Sequence, residues 1–131
     1  MRTLALVALA LLAPTASAQL FATAIPTGTW SGTLSRPGGQ VALTAEVEEC
    51  AEGLKLTVKP TRGAEQEVRD LQIETNRVRF RFVEPLGGRP VACTLTRRTD
   101  ESYRGACTAS RGPALTLVLR PPARSTLGCS E

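Results

Sequence analysis

The chain contains no histidine, only two lysines, Lys55 and Lys59, and few aromatic side chains: one tryptophan, one tyrosine and three phenylalanines among 131 residues. Each scarcity removes a class of function. Without histidine there is no Ser-His or Cys-His pair to activate a nucleophile, and the commonest metal ligand is missing. The four cysteines, Cys50, Cys93, Cys107 and Cys129, include no CxxC spacing, so no structural zinc site is expected and no cofactor is implied. Too few aromatics remain to build the stacking platforms of a nucleic-acid binder. A helical period of useful length is absent as well. These absences point away from an enzyme and away from nucleic acid as a partner.

Long apolar runs are also missing. The longest, Leu4–Leu12, is too short to span a bilayer, so no transmembrane segment is expected. It follows the charge of Arg2 and precedes Pro14 and Ala16-Ser17-Ala18, the anatomy of a secretory signal peptide cleaved after Ala18. The expected organisation is a signal peptide over residues 1–18, an N-terminal arm over 19–27, one β domain over 28–120 and a tail over 121–131. The mature 113 residues would work in the periplasm or outside the cell, where the cysteines meet an oxidising compartment and two disulfides are the default.

What the chain does have is alternation. In "NRVRFRFVE", Val78, Phe80 and Phe82 share one face while Arg77, Arg79 and Arg81 share the other, as a half-buried strand requires. The same period of two marks eight strands: Thr29–Leu34, Val41–Glu48, Leu54–Lys59, Val68–Glu74, Arg77–Val83, Val91–Arg97, Tyr103–Ala109 and Ala114–Arg120. The fourth breaks phase, because Val68 and Leu71 are three apart, and predicts a bulge near Arg69-Asp70. Short Gly/Pro-rich connections suit antiparallel hairpins between sequential neighbours. The expected fold is all-β, an eight-stranded antiparallel up-and-down barrel; a two-sheet β-sandwich is the alternative.

Strand parity extends the reading. Cys93 and Cys107 lie equally far on either side of Asp100, the centre of the hairpin turn, so they should face each other and bond. Cys50, in a turn at the end of the barrel where both termini emerge, would then pair with Cys129 and pin the tail, stabilising by roughly 4 kcal/mol on the loop-entropy account. At the opposite end, four successive loops carry one arginine each, Arg36, Arg62, Arg89 and Arg111, whereas the other end carries Glu49, Glu52, Glu74, Asp100 and Glu101. A basic rim of this kind would steer an anionic partner toward the barrel mouth.

"GTWSGTL", residues 28–34, places Trp30 between two glycines at the start of the first strand. This Gly-x-Trp resembles the calycin superfamily of lipocalins, fatty-acid-binding proteins and avidins, in which the tryptophan closes one end of an antiparallel barrel under an arginine from the last strand. The resemblance implies that Arg120 packs over Trp30 by a cation–π contact. Together with "LQIETNRVRFRF" and "YRGACTASRGPALTLVLR", the motif is similar to small secreted bacterial domains of the GTWxGTL type, although Cys107 stands where their second Gly-x-Trp has its tryptophan. The expected function is a non-enzymatic exported binding or accessory module whose arginine loops read an anionic envelope component or a protein. The alternatives are a lipocalin-like carrier of a small apolar ligand and a periplasmic protease-inhibitor-like protein using the arm "QLFATAIPT". Against the carrier stands the long list of large inward residues, which an eight-stranded barrel has little room to hold around a ligand.

Overall fold

Apolar residues alternate with polar ones along most segments, and each such segment forms a strand that turns its apolar positions to one side. The structure, a computed structural model, describes residues 25–123. Its nine strands are β1 (Gly28–Arg36), β2 (Gly39–Cys50), β3 (Gly53–Pro60), β4 (Gln66–Glu67), β5 (Arg69–Glu74), β6 (Arg77–Val83), β7 (Pro90–Arg97), β8 (Tyr103–Thr108) and β9 (Leu115–Arg120). They form one antiparallel sheet in the order β4-β3-β2-β1-β9-β8-β7-β6-β5, so the first strand pairs with the last and the meander curls into a nearly closed barrel. The up-and-down barrel expected from the sequence is the observed architecture. Among the described residues no helix is long and apolar enough to cross a membrane.

Nine strands stand in place of eight because the fourth segment is broken where its phase slips. Its first part, β4, pairs with β3 through Thr57↔Glu67 and Val58↔Gln66, and its second part, β5, pairs with β6. Between them the register shifts and Asp70 adopts a left-handed φ of 56°, which identifies the bulge. Val68 stays buried at the break and donates its N–H to the Leu56 carbonyl. Gln66 then spans the remaining gap: its amide donates to the Val83 carbonyl at 2.8 Å and accepts from the Val83 N–H at 2.9 Å. A side chain thus supplies the two hydrogen bonds that a neighbouring backbone would otherwise make.

The barrel is filled by its own side chains. Leu34, Leu56, Leu95, Leu115, Leu117, Trp30 and Phe80 have almost no exposure. Each buried aliphatic contributes about 1.5–3 kcal/mol relative to an exposed one. Val41, Leu54, Leu71 and Ile73 pack against this core while remaining partly exposed. Cys93 and Cys107 are buried partners in the β7–β8 register, with Cα atoms 4.0 Å apart, and form the expected disulfide. Closing so short a loop stabilises by about 3 kcal/mol on the entropic account. Cys50 is also disulfide-bonded, and its expected partner Cys129 lies outside the described residues.

Trp30 closes the end of the barrel from which the described chain begins, here the lower end. Its indole N–H donates to the Pro26 carbonyl at 2.9 Å, Ile25 is buried in the same core, and Tyr103 is its ring partner, with centroids 5.5 Å apart and planes tilted by 57°. The expected Arg120 stack is corrected by register. Arg120 lies opposite Ser31, an outward position, and its exposed guanidinium is 3.9 Å from Asp100. In a strand, adjacent residues face opposite sides, so a residue opposite Ser31 cannot share the inward face of Trp30. Burial raises the Tyr103 hydroxyl above its usual range, the nearby Arg97 opposing it.

Candidate functional site at the upper rim

Topology sends the β1–β2, β3–β4, β6–β7 and β8–β9 connections to the upper end, and with them Arg36, Arg62, Arg89 and Arg111. The 84–89 loop organises this rim around a carboxylate. Glu84 is completely buried, the unusual feature of the upper end, since acids are rarely buried without partners. Its Oε1 accepts from the Gly87 N–H at 2.6 Å and its Oε2 from Arg89 Nε at 3.2 Å. Its backbone accepts from the Gly88 N–H and donates to the Arg89 carbonyl. Burial pushes this carboxyl upward, but the hydrogen bonds from Gly87, Arg89 and the Leu86 N–H outweigh it and hold the group below the usual glutamate range.

Arg89 reaches from this loop to the next, donating from Nη1 to the Arg111 carbonyl at 2.5 Å. Its Nη2 is buried and has no hydrogen-bond partner among the described residues. Arg36 approaches from the other side. A Cβ placed on Gly87 would lie 2.9 Å from Glu84 Oε2, 3.4 Å from Arg36 Nη1 and 3.5 Å from Arg89 Nε, so glycine is what lets the three side chains meet. Gly88, with φ of 71°, supplies the left-handed turn that returns the loop to β7. Two of the four expected arginines, Arg36 and Arg89, therefore meet at one loop cluster, and Arg89 ties it to the backbone of Arg111. Arg62 sits in the exposed 61–65 turn, and among the described residues no hydrogen bond or ion pair joins it to the others.

The sequence reading missed two participants. Glu84 continues the inward parity of Val78, Phe80 and Phe82, but as a charged residue past the end of β6 it stands apart from the apolar pattern. Arg81 was placed on the outer face of β6, yet it joins Arg89 and Arg111 around a shallow surface hollow of about 380 Å³, floored by Ala92, Thr108 and Ala109. The charge also divides more sharply around the barrel than between its ends. Residues 25–67 carry four basic and six acidic side chains, whereas residues 68–123 carry ten arginines and five carboxylates. At the lower end two of the acids are tied down: Glu74 accepts from Arg77 and Arg79, and Asp100 accepts from both the N–H and the hydroxyl of Ser102. Those contacts lower both carboxyls, Glu74 chiefly through Arg77 and Asp100 chiefly through Ser102.

An array of fixed guanidinium groups can bind carboxylate, phosphate or sulfate bidentately. Among the described residues no group of three or more Cys, Asp or Glu is placed to hold a metal ion. No protein-family model matches this chain, and neither a curated protein nor a solved structure is significantly similar to it.

Proposed function

We propose that the chain is an exported, non-enzymatic binding or accessory module that reads an anionic partner with the arginines of its upper loops, in a barrel distantly akin to the calycins and the GTWxGTL domains. One observation carries the reading. Arg36 and Arg89 converge on Gly87 above a buried Glu84, and Arg89 ties that loop to Arg111, leaving an unpartnered Nη2 within the cluster. The convergence concentrates positive charge at one loop, which favours an anionic partner. The packed interior supports a partner held outside the barrel, and the Cys93–Cys107 disulfide fits an oxidising compartment.

The test is a pull-down from envelope extract at low and high salt, comparing the wild-type protein with the variant Arg36→Ser, Arg62→Ser, Arg89→Ser, Arg111→Ser. Capture that weakens steeply with salt and disappears in the variant supports the rim reading. Undiminished capture by a folded variant refutes it, and an apolar ligand found inside the barrel by mass spectrometry moves the carrier reading ahead.

A further inference from the structure

The basic half of the barrel carries more than the rim. On the outer face, β5, β6 and β7 border a second hollow of about 470 Å³ lined by Asp70, Gln72, Arg79, Arg81 and Thr94 among others. It shares Arg81 and Ala92 with the hollow of about 380 Å³ that rises to Arg89 and Arg111. The two are therefore stretches of one shallow groove running along β6 and β7 up to the rim. Its floor is made of small side chains, Ala92, Thr94 and Thr108, and its borders carry arginines. We infer that this groove holds a linear acidic glycan, a chain of sugars bearing carboxylates. The inference rests on the anion-binding reading above and moves its main contacts from the rim to the side of the barrel.

Four observations point to that partner. First, Arg79 and Arg81 alternate on one strand, which spaces them about 7 Å apart along the groove, a repeat that suits a polymer with recurring charges better than a single ion. Second, Arg69 and Arg81 are directly opposite one another in the β5–β6 register. Like charges in that position repel, and the one nearby relief is Asp70, whose left-handed bulge geometry leaves its carboxylate 3.7 Å from Arg81. An anionic chain in the groove removes that repulsion. Third, Trp30, Phe80, Phe82 and Tyr103 are all buried, so the described surface has no aromatic face on which a base or an uncharged sugar could stack. Recognition must then come from charge and from hydroxyls, and Thr94, Thr108 and Ser110 supply the latter. Fourth, Val83 is the one exposed large apolar side chain among the described residues, which leaves no apolar anchor for a lipid surface.

The decisive experiment titrates the disulfide-bonded protein with an octamer of galacturonate, its methyl ester and oligo-dT, by calorimetry at 50 and 200 mM salt. Two variants that each remove two charges test the groove: Arg79→Ser/Arg81→Ser within it, and Lys55→Ser/Lys59→Ser on β3 in the other half of the barrel. Urea unfolding, followed by Trp30 emission, confirms that each is folded. We expect octagalacturonate to bind, the uncharged ester and oligo-dT not to, affinity to fall at least 5-fold between the two salt concentrations, and the groove variant to bind at least 10-fold more weakly while the β3 variant stays within 2-fold of wild type. If the groove variant keeps wild-type binding, or the β3 variant loses as much as it does, the groove assignment is overturned while the rim reading stands. Failure of wild type to bind octagalacturonate, or tighter binding of oligo-dT, overturns the acidic-glycan assignment and leaves the rim reading to its own pull-down.

Discussion

Replacing Glu84 tests whether the upper rim is organised by one buried carboxylate. In Glu84→Ala, the Gly87 N–H loses a charged acceptor at 2.6 Å, a contact type that contributes about 1.5–3 kcal/mol. Arg89 loses its partner too, but its side chain is 28% exposed, so water recovers much of that interaction and the loss is about 0.5–1 kcal/mol. The sum is a destabilisation of about 2–4 kcal/mol. Glu84→Gln keeps an acceptor for Gly87 and gives up the charge, for a smaller cost of about 1–2 kcal/mol. Urea unfolding followed by Trp30 fluorescence measures both. The pH dependence supplies an internal check. Because the folded carboxyl is held below its unfolded value, its contribution is present above about pH 4.3 and is lost as pH falls through the lowered folded value. The gap between wild type and Glu84→Gln should therefore narrow from pH 7 to pH 3. A Glu84→Ala protein within 0.5 kcal/mol of wild type at pH 7, on the scale of an ordinary surface change, would falsify the account. So would a gap that widens in acid.

Two further outcomes concern the barrel itself. Gly105→Ala should destabilise by about 3 kcal/mol or more, because the new Cβ would land on the Thr94 carbonyl of a paired strand that cannot move aside; a melting temperature equal to wild type would contradict the β7–β8 geometry. Trp30→Ala should lose about 3–5 kcal/mol, and in the wild-type protein iodide should hardly quench the indole, since Trp30 is only 2% exposed; free quenching in the folded state would place the tryptophan outside the core.

Alternation with a period of two settled the strands. A residue pair such as Val78 and Phe80, flanked by arginines, can bury one face and solvate the other in only one way, and short connections make antiparallel hairpins of the sequential neighbours they join. The Cys93–Cys107 bond followed from the same parity, because a hairpin's register is set once its turn is located. Even the bulge at Asp70 was visible as a slip of phase.

Tertiary structure decided what depends on contacts between distant segments. Periodicity assigns Arg120 to a strand end but not to a cross-strand neighbour; its register opposite Ser31 sent it outward and left Tyr103 as the ring beside Trp30. Gln66 and Val83 are hydrogen-bonded only because a break in one strand leaves a gap that a side-chain amide can span. Parity continued from Val78, Phe80 and Phe82 turns Glu84 inward, but only the fold brings Gly87 and Arg89 to its two oxygens. Arg81 follows the same logic, its outward face predictable from the strand, its place beside Arg89 and Arg111 fixed only when the barrel curls. Local pattern determines which side of a strand a residue occupies; curvature and register determine what stands next to it there.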